Sequence, residues 1–194
     1  ICLIGKNISN LLLAKNLANR GIKFDLFYSK LNNSPSSSTR TIGISDNNIN
    51  YINRHITNVK KYGWAIKDIK IYTENSKNNE IISFNSEKNS NFSIIKYNDF
   101  YQAVEKVLKK SKNFKVQCVN KNKIINITKK KKYNLIINSD NKNIISKKYF
   151  YKKYLKEYNA TAYTTIINHK NCSNRTAYQI FTKFGPLAFL PISK

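Results

Sequence analysis

The sequence predicts an α/β fold in which a parallel βαβ unit is interrupted by an antiparallel β-sheet. Two observations predict it. The first 28 residues alternate an apolar run, a helical stripe of leucines and a second apolar run, as a βαβ unit does. Residues 66–96 then change to short β-type segments separated by Asn, Ser and Lys, which is typical of antiparallel hairpins. With 194 residues, the chain has room for a sizeable hydrophobic core.

The predicted βαβ unit is read from its apolar residues and its glycines. Residues 1–4 form a short strand that ends at Gly5, where the chain must turn into a helix. Leucines and alanines in 11–18 form a helical stripe, and Gly21 follows at the position that glycine favours after a helix. The segment 22–28 (IKFDLFY) is apolar enough to be a buried parallel strand.

The middle of the chain is predicted to hold two further helices around the antiparallel meander of 66–96. A polar loop at 31–39 comes first, and Ser45 is a suitable N-cap for a helix that begins at Asp46. After the meander, Asn98 is the predicted N-cap of a second helix, which carries an apolar stripe on one face.

The last third of the chain is predicted to be mostly strands. Three short strands are expected at 115–119, 123–128 and 133–138, with the lysine run 129–132 as a solvated hairpin turn between the last two. From residue 160 onward the pattern favours antiparallel strands again.

The net charge of +25 arises from 35 Lys+Arg against 10 Asp+Glu, and only four of these cations are arginine. The lysines are spread along the whole chain, whereas a nucleic-acid-binding protein usually concentrates its cations and uses arginine to recognise guanine. We therefore attribute the positive charge to a general enrichment of lysine along the chain and not to a binding surface. We expect no specific nucleic-acid partner. A basic nucleic-acid-binding module stays open as an alternative, because 13 Tyr and 10 Phe are available for stacking on bases.

Other classes of protein are not supported. No apolar run approaches the roughly 18 residues of a membrane-spanning helix, and no signal peptide is recognised. The three cysteines are far apart and only two histidines occur, so neither a disulfide framework nor a metal site is predicted. No Ser/His/Asp or paired-carboxylate arrangement is visible, and no catalytic side chain is assigned. These features favour a reduced, cytoplasmic protein.

The first candidate site is the turn after the first strand. A dinucleotide-binding fold has the motif G-x-G-x-x-G there, so that the backbone can approach a pyrophosphate at the helix N-terminus. This chain offers Gly5, Asn7 and Asn10, and Asn tolerates positive φ better than most residues. Tyr28 stands where the acidic residue that binds the ribose is expected, and Asp25 lies inside the predicted strand instead.

Three later stretches also indicate a ligand site. Arg40 lies in a β-type run (TRTIGIS), and arginine makes planar multidentate contacts that lysine cannot replace; a surface ion pair is the alternative role. Asp140 follows an apolar strand, where the carboxyl ends of parallel strands meet a ligand. The segment 184–191 (FGPLAFLP) combines two prolines and a glycine in an apolar run, which predicts a sharp, rigid turn.

Together these stretches resemble the FAD-dependent aromatic-ring hydroxylases of ubiquinone biosynthesis, within the para-hydroxybenzoate-hydroxylase-like flavin monooxygenases. The family's R-x-x-A-[IL]-S element is similar to RTIGIS, and its G-W pair is similar to Gly63-Trp64. Its E-N-x-x-L helix start resembles YNDF (97–100), and its D-G strand end resembles NSDN (138–141). The most specific likeness is YQIFTKFGPLAFLPIS (178–193), which is similar to E-R-F-T-x-x-G-P-x-A-x-L-P.

The resemblance implies a fold and a set of binding residues. It implies a Rossmann-like FAD-binding domain formed by 1–65 and 95–150, interrupted by an antiparallel β-sheet substrate domain formed by 66–94 and 151–194 and incomplete at the C-terminus. The implied cofactor-binding residues are Gly5, Asn7, Asn10, Arg40, Asn98 and Asp140. The implied lining of the substrate pocket is Gly185, Pro186 and Leu187, although Pro186 also fits a plain strand bend.

The resemblance also implies a reaction, which is hydroxylation of a prenylated phenol with FAD, O₂ and either NADH or NADPH. Contact with a ubiquinone-biosynthesis complex, or peripheral binding at the inner face of the membrane, would suit such a substrate. The family's G-D-A-A-H-x-x-x-P motif would lie beyond Lys194, so we expect an inactive N-terminal fragment. Because two glycines and the ribose acid are missing, a family member that has lost flavin and activity stays open as well.

Overall fold

The computed structural model describes residues 1–29, 40–75, 80–85, 90–112, 114–129, 132–152 and 154–194. The predicted loop at 31–39 and Lys130 and Lys131 of the predicted turn lie outside these residues. The described residues form two compact units, one drawn from 1–36 and 101–163 and the other from 37–100 and 164–194. The long helix that contains Phe100 and Tyr101 contributes to both units.

The first unit contains a four-stranded parallel sheet. Its strands and helices are, in chain order, β1 (Cys2–Ile4), α1 (Ile8–Asn19), β2 (Phe24–Tyr28), most of α3 (Tyr97–Lys109), β8 (Phe114–Cys118), α4 (Lys121–Lys129), β9 (Ile136–Asn138) and α5 (Ile144–Tyr149). The strand order is β8-β2-β1-β9, and β1 pairs in parallel with both β2 and β9 while β2 pairs in parallel with β8. Numbered within the unit, this order is 3-2-1-4, that of the first four strands of a Rossmann sheet.

The buried face of this sheet explains why the parallel unit was predicted. All three residues of β1 are buried, and β2 buries Phe24, Leu26 and Phe27. Cys2, Ile4 and Phe27 pack in one cluster with Val119 and Ile124, which lie much later in the sequence. When both faces of a strand are buried, the residues on both faces are apolar. The sequence of such a strand is therefore a continuous apolar run and not an alternation of apolar and polar residues.

The second unit contains two sheets, one of three strands and one of four. Its elements are β3 (Thr41–Ser45), α2 (Asp46–His55), a 3-10 turn at Lys60–Tyr62, β4 (Gly63–Ile66), β5 (Asp68–Thr73), β6 (Ile82–Asn85), β7 (Phe92–Lys96), β10 (Thr176–Thr182) and β11 (Gly185–Phe189). One sheet has the antiparallel order β3-β7-β4, and the other has the order β11-β10-β5-β6. The chain therefore has the predicted α/β architecture, with parallel and antiparallel sheets.

The predicted meander of 66–96 is only half correct. β5 and β6 form the expected antiparallel hairpin, but β7 pairs with β3 and β4 in the other sheet. β10 and β11 are antiparallel as expected, whereas β10 pairs with β5 in parallel. Hydrophobic packing accounts for this arrangement, because Ile66 and Ile94 pack with Ala177 from β10, which lies 111 and 83 residues after them in sequence. No regular structure is found where the 160–169 strand was expected.

Three local predictions were also wrong. The segment predicted as the strand 123–128 is the helix α4, whose first turn is closed by the Asn120 side chain accepting a hydrogen bond from the Lys123 amide at 2.9 Å. Lys129, the first residue of the lysine run, therefore ends a helix, and the run does not follow a strand as predicted. The predicted start of α2 is confirmed, because Ser45 is its N-cap residue, although the Ser45 side chain makes no capping hydrogen bond. α3 begins at Tyr97, so Asn98 lies inside its first turn and is not its N-cap.

The domain boundaries predicted from the resemblance stay a prediction. The two compact units divide the chain differently, since residues 37–65 belong to the unit that contains the antiparallel sheets. The pairing of β3 with β7 along five residues, and of β4 with the same strand, accounts for this difference.

Candidate functional site

The turn after β1 lies at the carboxyl end of the parallel sheet, and its backbone is closely packed. Gly5 has φ +102, a conformation that side chains rarely adopt, and its amide donates to the Phe27 carbonyl at 2.8 Å. A Cβ on Gly5 would stand 2.8 Å from Ser139 Oγ and 3.1 Å from the backbone nitrogen of Asp140. Glycine is therefore required at this position for two reasons: other residues disfavour this positive φ, and a Cβ atom would clash with the loop after β9.

Asn7 forms the N-cap of α1, which differs from the role predicted for it. Its Oδ1 accepts a hydrogen bond from the Asn10 amide at 3.1 Å, and its Nδ2 donates to the Ser139 carbonyl at 2.9 Å. Its φ is −102, in the extended region. Asn7 thus does not preserve a positive-φ turn; it ties the start of α1 to the end of β9.

Asn10 stands at the third glycine position of the motif and faces inward. Its side chain is buried, and its Nδ2 donates to the carbonyls of Ile4 at 3.0 Å and Gly5 at 2.8 Å. The amide therefore holds the turn against the first turn of α1. Close packing of the helix on the strand, which glycine usually allows at this position, is achieved here by hydrogen bonds.

Asp140 lies directly across this turn, at the point where the strand order reverses between β1 and β9. Ligands of open α/β sheets bind in the crevice at such a switch point. The Asp140 Oδ1 accepts a hydrogen bond from the Lys142 amide at 3.0 Å, which shapes the loop after β9. The glycine turn and the positive end of α1 fit the pyrophosphate of a dinucleotide, because the helix dipole favours an anion there and glycine lets the backbone approach it.

A buried polar network holds the loop after β9 in place. Asn138 Nδ2 donates to Ser146 Oγ at 2.7 Å, and Asn143 Nδ2 donates to Asn138 Oδ1 at 2.7 Å. Ser146 Oγ in turn donates to the Asp140 carbonyl at 2.7 Å. Within the described part of the chain, Asn159 is the one residue other than glycine with positive φ. Asn138 and Asn141 stand where the family has glycine around its conserved aspartate. Neither residue has a positive φ, so these positions do not require glycine in this chain.

The end of β2 carries no acid of its own. Tyr28 is the last residue of β2, and its ring lies 5.1 Å from the Lys6 Nζ. Asp25 is near the amino end of the strand, in register with Cys2, and its carboxylate accepts a hydrogen bond from the Tyr133 hydroxyl at 2.5 Å. Asp25 therefore lies at the opposite edge of the sheet from the turn, in an ordinary strand position, and does not stand where the ribose acid is expected.

An ion-paired cluster borders the turn. Lys6, the residue after Gly5, contacts Glu105 of α3 through Nζ and Oε1 at 2.5 Å, and Lys109 contacts the other oxygen, Oε2, at 3.0 Å. Burial alone would raise the pKa of Glu105, but the hydrogen bonds from Lys6 and Lys109 outweigh it and hold that pKa below its usual range. The Lys6 carbonyl accepts a hydrogen bond from the Tyr101 hydroxyl at 3.2 Å.

Arg40 and Asn98 belong to the second unit. The Arg40 guanidinium stacks 4.5 Å from the centre of the Tyr97 ring, and the Arg40 carbonyl accepts a hydrogen bond from the Tyr97 amide at 2.9 Å. Arg40 is exposed, and Asn98 is half-buried next to Tyr97. The structure thus brings these two predicted residues to the same junction, between β3 and the start of α3.

Gly185, Pro186 and Leu187 open the edge strand β11. Gly185 has φ +122, and no atom lies within 4 Å of the point where a Cβ would stand. Pro186 pairs in register with Phe181, and all five residues of β11 are exposed. The tight turn is made by the two residues before Gly185, and Pro186 occupies an edge position where its missing N–H is tolerated.

The structure therefore assembles Gly5, Asn7, Asn10 and Asp140 in one place within the first unit. Arg40, Asn98 and residues 185–187 are in the second unit, and their cofactor and substrate contacts stay predictions. Sequence reasoning did not identify Lys6 or Glu105. No local signal indicates Glu105, because it lies 99 residues from Lys6 and joins it only through the fold.

Two cavities of the first unit lie away from this turn. They have volumes of about 420 and 320 Å³ and share Asp25, Lys115 and Tyr133 in their linings. Burial and the hydrogen bond to Asp25 raise the pKa of the Tyr133 hydroxyl.

Among the residues that the structure describes, no group of three or more His, Cys, Asp or Glu side chains is arranged to hold a metal ion. In the same part of the chain, no helix has the length and hydropathy needed to cross a membrane.

The chain is similar in structure to several solved proteins at low sequence identity. No family model and no curated protein matches it. The p-nitrophenol 4-monooxygenase PnpA of Pseudomonas putida matches with a TM-score of 0.49 and 16% identity, over 60% of this chain and 31% of that one. CtdE in complex with FAD and a substrate matches with a TM-score of 0.45 and 15% identity, over 59% and 29%. The 2,6-dihydroxypyridine-3-hydroxylase of Arthrobacter nicotinovorans matches with a TM-score of 0.44 and 13% identity, over 59% and 28%.

The chain thus spans about a third or less of the length of these solved structures. The class that its own topology defines is an α/β fold with a Rossmann-like parallel sheet.

Proposed function

We propose that the first unit binds the pyrophosphate of FAD at the β1–α1 turn. One observation carries this proposal: Gly5, at φ +102, closes a turn at the switch point of a 3-2-1-4 parallel sheet, directly before the N-terminus of α1. Gly5 would let the backbone approach the phosphates, and the amides at the start of α1 would donate to them. Asn7 and Asn10 hold that turn in shape through the contacts described above.

Titration of the full-length protein with FAD and with ADP tests this proposal, since the 194-residue chain alone is not expected to bind FAD tightly. The unaltered protein is expected to bind both, and Gly5→Ala is expected to lose binding because a methyl group would displace Ser139 or Asp140. Gly21→Ala is the matched control, since Gly21 also has positive φ but no atom within 4 Å of the added group. A folded protein that binds neither ligand would contradict the proposal and support the alternative of a fold that has lost its flavin.

We further propose that the whole protein hydroxylates an electron-rich aromatic ring, in the manner that the sequence resemblance implies. FAD, when bound, supplies the redox and oxygen chemistry, so the protein has to bind, orient and exclude water. Arg40 would contact the flavin, and Pro186 with its neighbours would line the space over the ring. The electron donor would be NADH or NADPH, and the substrate a prenylated phenol of ubiquinone biosynthesis.

Mass spectrometry of the products tests this second proposal. The full-length protein, reconstituted with FAD, is incubated with a prenylated phenol, ¹⁸O₂ and either NADH or NADPH. A product that gains one ¹⁸O atom supports ring hydroxylation, and the faster donor identifies the reductant. Oxidation of the nicotinamide without labelled product would contradict it.

A prenylated substrate would reside in a bilayer, and a net charge of +25 would favour anionic headgroups. We therefore propose peripheral membrane association. Sedimentation with vesicles that contain anionic phospholipid should show binding that falls as salt rises, whereas neutral vesicles should retain little protein. The absence of any salt-dependent binding would remove this proposal.

A further inference from the structure

A carboxylate lies beside the carboxyl end of β2, although β2 does not supply it. Lys6 Nζ is 5.1 Å from the centre of the Tyr28 ring, and Tyr28 is the last residue of β2. The same Nζ contacts Glu105 Oε1 at 2.5 Å. Glu105 is in the middle of α3, so this helix brings an acid to the edge of the sheet where the second strand ends.

We propose that Glu105 binds the adenosine ribose of the dinucleotide by accepting a hydrogen bond from its 2′-hydroxyl. This inference rests on the proposed dinucleotide site. In a Rossmann fold an acidic residue about 20 residues after the glycine turn, at the end of the second strand, takes this role. Tyr28 occupies that position here and Asp25 lies at the opposite edge, which leaves Glu105 to supply the carboxylate at this place.

The surroundings of Glu105 leave it able to accept another hydrogen bond. A carboxylate offers about four acceptor sites, and the two lysine contacts use one on each oxygen, from Lys6 and from Lys109 at 3.0 Å. The side chain keeps 18% of its surface exposed, so one part of it is open to a ligand.

The position of this carboxylate relative to the turn is fixed. Lys6 directly follows Gly5, and its backbone carbonyl accepts a hydrogen bond from Tyr101 Oη of α3 at 3.2 Å while its ammonium group contacts Glu105. Two residues one helical turn apart on α3 therefore hold the residue after the glycine turn. This double contact keeps the carboxylate at one distance from the phosphate-binding backbone, as recognition of a ribose attached to that phosphate requires.

The test compares ADP with 2′-deoxy-ADP on the full-length protein by calorimetry. A hydrogen bond to a charged group predicts that the unaltered protein binds ADP about tenfold or more tightly than 2′-deoxy-ADP. In Glu105→Gln this ratio should fall to about twofold or less, because a neutral amide is a weaker acceptor. The control is Lys109→Gln, which removes the exposed partner of Glu105 and should leave the ratio unchanged.

Three results of this comparison would overturn the proposed role of Glu105. A role for Glu105 that is only structural would weaken both nucleotides equally and preserve their ratio, and that result would overturn the inference. So would an unaltered protein that binds the two nucleotides alike, although the proposed pyrophosphate site would then stand. A protein that binds neither ADP nor FAD would overturn both.

Discussion

A methyl group on Gly5 would stand 2.8 Å from the hydroxyl oxygen of Ser139. These residues follow β1 and β9, the adjacent strands between which the strand order reverses. The Ser139 amide donates to the carbonyl of Ile4 at 2.9 Å, and its carbonyl accepts a hydrogen bond from Asn7 at 2.9 Å. The two strand ends are thus held together by the backbone, so little room is left for any side chain at residue 5.

We expect Gly5→Ala to lower the free energy of unfolding by about 3 kcal/mol, from a disfavoured backbone angle together with a steric clash. Gly21→Ala, with φ +69 and open space around it, should lower it by only about 1 kcal/mol. Urea unfolding followed by circular dichroism measures both variants. Equal losses would show that the crowding at Ser139 and Asp140 has no energetic consequence.

Asn10 should stabilise the folded chain more through its two donated hydrogen bonds than through the volume of its side chain. Asn10→Ala removes a buried donor from the carbonyls of Ile4 and Gly5, and we expect a loss of about 2 kcal/mol. Asn10→Asp keeps the shape but places an acceptor against two carbonyl oxygens, so at pH 7 it should cost more than the alanine variant. Chemical denaturation of the three chains checks this order. The reverse order would mean that packing, and not hydrogen bonding, sets the role of Asn10.

The three cysteines should differ in reactivity. Burial, and then the nearby charge of Asp25, raise the pKa of the Cys2 thiol to about 12, whereas Cys118 and Cys172 are exposed. Iodoacetamide at pH 8 should therefore modify Cys118 and Cys172 in the folded chain and spare Cys2, because only the accessible thiolate reacts. Peptide mass spectrometry before and after addition of urea gives the measurement, and urea should make Cys2 reactive. Rapid labelling of Cys2 without urea would show that β1 is not buried as described.

The contribution of Glu105 to stability should depend on pH with a defined sign. Burial acts to raise its pKa, but Lys6 and Lys109 hold that pKa below the usual value of 4.5 in the folded chain. Its stabilising effect is therefore complete above the unfolded-state pKa and is lost as the pH falls through the folded-state pKa. The difference in unfolding free energy between the unaltered chain and Glu105→Gln should be largest near pH 7 and should shrink on acidification. Glu157→Gln, at an exposed position, serves as the control, and a difference that grows toward low pH would contradict the assignment.

The sequence by itself determined the local features of the parallel unit. The apolar run of β1, Gly5, the leucine stripe of α1 and Gly21 are consecutive, so propensity and hydrophobic periodicity are enough to predict strand, turn and helix. Gly5 and Asp140 were also predicted as site residues, because the ends of parallel strands meet at one edge whatever the rest of the chain does. The roles of Asn7 and Asn10 were not predictable in this way, since both depend on the direction that a side-chain amide takes in the folded turn.

Only the tertiary structure decided which distant segments pair. The Ile-rich segment 123–128 fits a short strand as well as a helix, and it became part of α4 because Ile124 packs in the cluster of Cys2 and Phe27. β7 left the predicted meander because its apolar residues pair with β3 and β4. Glu105 reaches Lys6 for the same reason: burial of the apolar face of α3 fixes where its polar residues lie. Contacts between segments a hundred residues apart leave no periodic trace in the sequence, because the energy of packing depends on the assembled core.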